Sequence, residues 1–302
     1  MEQNENHVFR FACLNKPGMD LFRPSLSNGI GMILQAVIFD VDGTLADTER
    51  DGHRVAFNAA FREAGLDWEW SVALYGELLT VTGGKERMRA YAEKHRRDWS
   101  ARSDLDTVIA GLHRAKTRHY LALVEQGGIP LRPGVVRLIQ ELRKAGMRLA
   151  IATTTSPENV EVLLRTTLAE LPSGTFEVIG AGDIVPAKKP APDIYSWVLE
   201  RLKLPASAAL AIEDSRNGVR SALAAGLPVM VTPSTYTVGE DFTGAIAVVS
   251  DLGEPGRPFT LLQGRAPARQ WIDAEALIHW ADRAPGHSPN LPADRHRPVT
   301  VT

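Results

Sequence analysis

The chain reads as an α/β protein: a doubly wound parallel sheet with a helical block inserted into it. Three observations lead to that class. From residue 134 onward, short apolar runs alternate with helical patterns, the order that builds a parallel sheet covered on both faces. The first apolar run, 33–39, is followed instead by a long stretch, 48–129, with helical spacing and no strand-like alternation. Three of the apolar runs end in polar clusters, and in a parallel sheet such ends meet where ligands bind.

Residues 1–31 are polar, rich in Asn, Pro, Gly and Ser, and show no period; they read as a disordered extension or as translation from an upstream start that is not used. Met32 precedes the first strand, whose β-branched run 33–39 opens a core domain placed at 32–47 and 130–251. In the cap, 48–129, Val55, Ala56, Ala59, Ala60 and Ala64 recur at helical steps, as do Leu74, Leu78 and Leu79. Gly127-Gly128-Ile129-Pro130 breaks the pattern and reads as a return linker, so the block has two connections and can swing as a lid. Helices are then predicted at 134–145, 157–170 and 192–202 and from 215 to Gly226, with strands at 148–152, 176–179, 208–212, 229–231 and 246–249. Residues 252–302 are Pro- and Arg-rich and read as a partly disordered tail, apart from a helix at 268–281.

Bulk properties exclude several classes. With 302 residues, 44% hydrophobic and net charge −2, the chain is globular and lacks the basic excess of a nucleic-acid binder. Its single cysteine, Cys13, rules out an internal disulfide and suits a reducing compartment. No apolar run approaches the roughly 18 residues of a membrane span, and the N-terminus lacks a signal-peptide layout. The expectation is a cytoplasmic monomer that engages neither membrane nor nucleic acid.

The chemistry concentrates at strand ends. In Asp40-Val41-Asp42-Gly43-Thr44-Leu45, extended geometry carried one step past the strand would point both carboxylates the same way, and Gly43 would let the backbone turn sharply. Paired carboxylates repel unless a cation sits between them, and all-oxygen ligands favour Mg²⁺. Thr153, followed by Thr154, Thr155 and Ser156 at a helix start, suits phosphate oxygens, with Asn159 one turn on; Ser156 before Pro157 is also a good N-cap. Lys189 in Lys188-Lys189-Pro190-Ala191-Pro192 sits before a proline that holds it extended, with Lys188 as the alternative. Glu213 and Asp214 end another buried strand, a costly place for acids unless they are paired or metal-bound. In the helical block, Gly83-Gly84 exposes backbone N–H groups before a helix carrying Lys85 and Arg87, an arrangement suited to an anion.

Together these clusters, spread over residues 33–231, resemble the four motifs of the haloacid dehalogenase (HAD) phosphohydrolases, and the inserted helices look like the cap of the β-phosphoglucomutase-like branch. Within that branch, Thr82-Gly83-Gly84-Lys85-Glu86-Arg87, His113-Arg114-Ala115-Lys116-Thr117 and Ala152 to Ser156 are similar to the CbbY phosphatases of Calvin-cycle operons. The resemblance implies a Rossmann-like core and a Mg²⁺-dependent reaction on a small phosphorylated sugar. Asp40 would attack phosphorus, Asp42 would handle protons, and Thr153 and Lys189 would complete the catalytic set. It implies a metal held by Asp40, Asp42 and Asp214 with help from Glu213. Substrate contacts would come from Glu49, Thr82, Gly83, Gly84, Lys85, Glu86, Arg87, His113, Arg114, Lys116, Thr154, Thr155, Ser156 and Asn159. The implied reaction converts xylulose-1,5-bisphosphate to xylulose-5-phosphate through an aspartyl-phosphate. A sugar phosphomutase, a phosphatase for another sugar, a phosphonatase and a degenerate binding module are the competing readings. His53 reads as a helix-surface residue without a role.

Overall fold

A computed structural model describes residues 34–264 and 267–282, so the readings for 1–31, including Cys13, and for the final twenty residues lie outside the described residues. Among the described residues seven strands form one sheet: β1 (Ala36–Phe39), β2 (Arg148–Ala152), β3 (Val178–Gly180), β4 (Ala209–Glu213), β5 (Val229–Val231), β6 (Ala247–Val249) and β7 (Leu261–Gly264). Their order is β3-β2-β1-β4-β5-β6-β7, parallel throughout except for the antiparallel β6–β7 pair. β1 is central, and every residue in it is 0% exposed, as its unbroken apolar composition requires.

The register sets the chemistry. Phe39 lies level with Ile151 on one side and Ile212 on the other, so the residues just beyond β1, β2 and β4 come out side by side. Two apolar layers cover the sheet. On one face Val37 and Phe39 pack with α1 (Val135–Lys144) and α2 (Pro157–Thr167); on the other Ala36 and Ile38 pack with α3 (Asp193–Leu202) and α4 (Arg216–Ala224).

Between β1 and α1 the chain forms a π-turn (Glu49–His53), a run of five helices and a return segment. The inserted helices are c1 (Arg54–Glu63), c2 (Val72–Leu78), c3 (Gly84–His95), c4 (Arg97–Ser100) and c5 (Leu105–Glu125). They enclose an aromatic core of Phe57, Phe61, Trp68, Trp70, Tyr75 and Tyr91, separate from the two sheet layers. The two connections run together: Ala46 bridges Leu131, and the Arg132 N–H donates to the Leu45 carbonyl at 2.9 Å.

The segment after residue 251 departs from expectation. Rather than a tail, 252–264 and 267–282 add β7 and the helix Ala274–Ala281 to the core, with Leu252, Ile272, Leu277 and Trp280 buried against the sheet. β7 left no signal because all four of its residues are exposed, so no in–out alternation marks it. The helix starts later than the predicted 268, at Asp273, whose carboxylate accepts the Ala276 N–H at 2.8 Å.

If this segment is core, Leu277→Ala, at a 0% exposed site, costs about 2–5 kcal/mol in urea unfolding. Leu262→Ala, on the exposed edge, changes stability by no more than about 0.5 kcal/mol. Equal small effects would return the segment to a tail.

Candidate active site

Asp40 follows β1, and its N–H is held by the Ile212 carbonyl at 3.0 Å. Its carboxylate accepts Lys189 Nζ at 2.7 Å; the same ammonium donates to Glu213 Oε1 at 2.5 Å and to the Ala152 carbonyl at 2.9 Å. Lys189 is thus the lysine that enters the site. Lys188 instead pairs with Asp183 at 2.8 Å and Glu86 at 3.3 Å on the wall of the cavity above. Glu213 is fully buried and also accepts from Tyr195 Oη at 2.7 Å; a Cβ on Gly218 would collide with its carboxylate. Its oxygens are therefore spent on anchoring Lys189.

Asp40, Glu213 and Asp214 bring carboxylate oxygens within 4.8 Å of one another. Three carboxylates and one ammonium leave two uncompensated negative charges in a buried cluster, and one divalent cation would cancel them. The proton affinities carry the same message. Burial, offset by Lys189 and reinforced by Glu213 and Asp42, pushes Asp40 up to about 8. Burial and the neighbouring Asp40 and Glu213 push Asp214 well above the usual carboxylate range. The donor set fits a hard divalent cation.

Asp42 departs from the expected pairing: its side chain does not join that acid cluster. The pleat ends where Gly43 adopts φ +85°, and the Asp42 carboxylate turns instead to Thr48 Oγ1 at 2.5 Å and His53 Nε2 at 2.9 Å. His53 is not a surface residue; it is 4% exposed, stacks on Tyr120 and meets Lys116 Nζ through Nδ1 at 2.9 Å. A protonated Lys116 donates to Nδ1, which leaves the ring proton on Nε2 facing Asp42. Burial raises Asp42, but His53, Thr48 and Lys116 outweigh it and hold the group at about 2. Burial lowers Lys116 to about 8, against the opposing pull of Asp42 and Glu49. The four-residue step from Glu49 to His53, which puts both on one side of a helical turn, was the available signal for His53.

Above lies a cavity of about 470 Å³ between the helical block and the strand ends. The block lines it with Glu49, His53, Gly83, Gly84, Lys85, Arg87, His113 and Lys116; the core lines it with Asp42, Thr154, Thr155, Ser156, Asn159, Asp183 and Lys188. Arg87 is buried and held by the Leu78 and Val81 carbonyls and by Tyr75 Oη at 2.8 Å, while Tyr75 donates to Glu49 at 2.5 Å. Lys85 reaches across to Asp183 at 2.5 Å. Burial, with Lys116, Lys85 and Lys188 nearby, lowers His113 to about 4, so it faces the cavity neutral.

On the core wall Thr153 is 1% exposed just beneath, its Oγ1 accepting from the Thr155 N–H at 3.3 Å. Asn159 donates to Thr155 Oγ1 at 3.1 Å, yet its own Oδ1 and the Ser156 Oγ are buried without hydrogen-bond partners. Ser156 stands at the N-cap position but makes no side-chain capping bond. The free N–H groups of a helix start and the one unpartnered hydroxyl, that of Ser156, suit an anion, whereas Asn159 Oδ1 can only accept.

Three expected contacts fall outside the cavity. Arg114 is exposed on the other side of c5, because one residue from His113 rotates the side chain about 100° around the helix. Thr82 Oγ1 accepts from Asn217 of the core at 3.0 Å instead. Glu86 is exposed and pairs with Lys188.

Residues 34–226 match the family model of the haloacid dehalogenase-like hydrolases. The chain belongs to that family. It is 49% identical over 247 residues to the plasmid CbbY protein of Cupriavidus necator, covering 82% of this chain and 96% of that one. It is 51% identical to CbbY of Rhodobacter capsulatus, covering 73% and 95%. A crystal structure of CbbY from Rhodobacter sphaeroides with phosphate superposes at TM-score 0.67 with 48% identity, over 73% of this chain and 95% of that one. An aspartate-to-asparagine mutant of the same protein with xylulose-(1,5)bisphosphate gives TM-score 0.68 at 47% identity, over 74% and 97%. This HAD chain is accordingly a phosphoric monoester hydrolase.

The raised Asp40 dictates a pH dependence. A carboxyl bound more tightly to its proton in the folded state stabilises fully below its ordinary value of 3.8 and loses that contribution as pH rises toward about 8. Asp42 has the opposite sign, its contribution being complete above 3.8 and lost as pH falls toward about 2. In metal-free buffer Asp40→Asn therefore melts higher than wild type at pH 8, and the gap closes toward pH 4. A wild type that melts higher at pH 8 contradicts the assignment.

Proposed function

We propose that the protein is a Mg²⁺-dependent sugar-bisphosphate phosphatase working through an aspartyl-phosphate, with xylulose-1,5-bisphosphate as substrate and xylulose-5-phosphate as product. The observation that carries the reading is the two-ended cavity. Below it lie acids short of two positive charges, and its helical-block wall bears Lys85 and Arg87. A substrate with phosphates at both ends matches that distribution. The ligand named for the Rhodobacter sphaeroides CbbY structure has the same form.

Asp40 attacks phosphorus in line, while Lys189 and the Thr153 to Ser156 turn offset charge on the transferring oxygens. Asp40, the Asp42 main-chain carbonyl and Asp214 would hold the cation, whose chemistry there would be to offset phosphoryl charge. A phosphoryl dianion beside Asp42 raises its proton affinity, so Asp42 can give a proton to the leaving alkoxide and later take one from the hydrolytic water. His53 and Lys116 hold Asp42 in line for both transfers. Glu49, steadied by Tyr75, accepts sugar hydroxyls, and Lys85 and Arg87 with the Gly83-Gly84 backbone take the second phosphate. The block with its two adjoining connections acts as the lid over this pocket.

Phosphate release from a panel of mono- and bisphosphorylated sugars tests the reading. Xylulose-1,5-bisphosphate is expected to give the highest kcat/KM, and preferential isomerisation of a sugar monophosphate would turn the assignment toward a mutase. Asp40→Asn is expected to lose at least about 10³-fold in turnover with the fold intact, since no nucleophile remains. Lys85→Ala should lower kcat/KM for the bisphosphate about tenfold more than for an aryl phosphate, the worth of one charge-assisted contact. Equal losses on both would remove Lys85 from recognition.

A further inference from the structure

Arg132 closes the return connection from the helical block and takes no part in the steps above. Its side chain is 7% exposed and fans out over three loops. Nη1 donates to the carbonyls of Gly43 and Thr232 and to Thr232 Oγ1 at 3.2 Å. Nη2 donates to the Pro233 and Ser250 carbonyls, both at 2.8 Å, and Nε faces the Asp47 carboxylate at 3.7 Å. These acceptors lie in the loops that follow β1, β5 and β6.

Two of those loops form the walls around Asp214. Gly43 packs so closely on the Asp214 carboxylate that a Cβ there would collide with it. From the loop after β5, Thr237 Oγ1 donates to Asp214 Oδ2 at 3.4 Å and in turn accepts the Ser234 N–H at 2.8 Å. Asp214 has no cationic hydrogen-bond partner among the described residues, although the charge of Arg132 lowers its proton affinity. The guanidinium therefore fixes both sides of a carboxylate that it does not touch.

We infer that Arg132 is a positioning residue for cation binding: by clamping the Gly43 loop to the Thr232–Pro233 loop, it holds Asp214 in register with Asp40. The inference rests on the metal reading under Proposed function. A planar fork is needed because five acceptors in different directions must be met at once, whereas an ammonium has three donors. A residue that merely tied loops together would lower stability on removal without changing metal affinity.

The test is isothermal titration of Mg²⁺ into the full-length protein without substrate, together with melting temperature with and without Mg²⁺. Wild type is expected to bind Mg²⁺ and to melt higher with it. Arg132→Lys should bind Mg²⁺ at least tenfold more weakly and lose kcat, with KM for the sugar phosphate within about twofold. A folded Arg132→Lys with wild-type Mg²⁺ affinity overturns the inference, even if it melts lower. Should Arg132→Lys fail to fold by circular dichroism, Thr232→Val decides, since it removes one acceptor of the fork. Mg²⁺ binding weakened two- to fourfold supports the clamp, and unchanged binding overturns it. A wild type that binds no Mg²⁺ removes the proposed cation site and the inference with it, whereas normal wild-type binding confines any failure to Arg132.

Discussion

A single ammonium, that of Lys189, is the contact on which the site depends. It lies between Asp40 and Glu213 and against the Ala152 carbonyl, so one side chain ties together the ends of β1, β2 and β4. The carboxylates are buried, and removing the ammonium would leave them facing one another uncompensated, at a cost of about 3–5 kcal/mol. Lys189 gains from the arrangement: burial alone would lower its proton affinity, but Asp40 and Glu213 raise it above the ordinary lysine value. Its compensation is still incomplete, and Asp40 and Asp214 stay protonation-prone. The fold thus maintains a charge deficit at one point and stabilises it through the apolar layers on either side of the sheet.

From that point the remaining geometry follows. Because the strand ends are level, Asp40, Thr153 and Glu213 emerge together, and Tyr195 keeps Glu213 aimed at Lys189. Because the helical block enters and leaves through adjoining segments, its residues can hang over the same opening. The block packs around its own aromatic core, while Ala56, Tyr120 and Val124 on its other side join the apolar layer beside the sheet.

Much of this was readable in the residues. The alternation of apolar runs with helical patterns identified the sheet, and β2 and β5 run over the residues predicted for them. The Asp-x-Asp-Gly-Thr-Leu string, the Lys189 step and the Glu213-Asp214 pair are local signals, each confined to a few neighbouring positions. Elements without such a signal escaped notice. β7 shows no alternation because neither of its faces is covered, and Arg114 looked equivalent to Lys116 until the turn of c5 separated them. His53 resembled many exposed histidines because it stands in the charged run Glu49 to Arg54, while its partners Asp42 and Lys116 lie 11 and 63 positions away.

By itself, then, the sequence determined the class of fold, the order of its parts and the residue types gathered at the strand ends. Each of these follows from periodicity or from a motif a few residues long. The tertiary structure alone decided which of those groups touch. Asp42 meets Lys116 through His53 across contacts spanning 11 and 63 positions, and Arg132 reaches carbonyls 89 to 118 positions away. Hydrogen bonds are short and directional, so partners this distant in the chain are selected by the packing of whole elements and leave no local pattern.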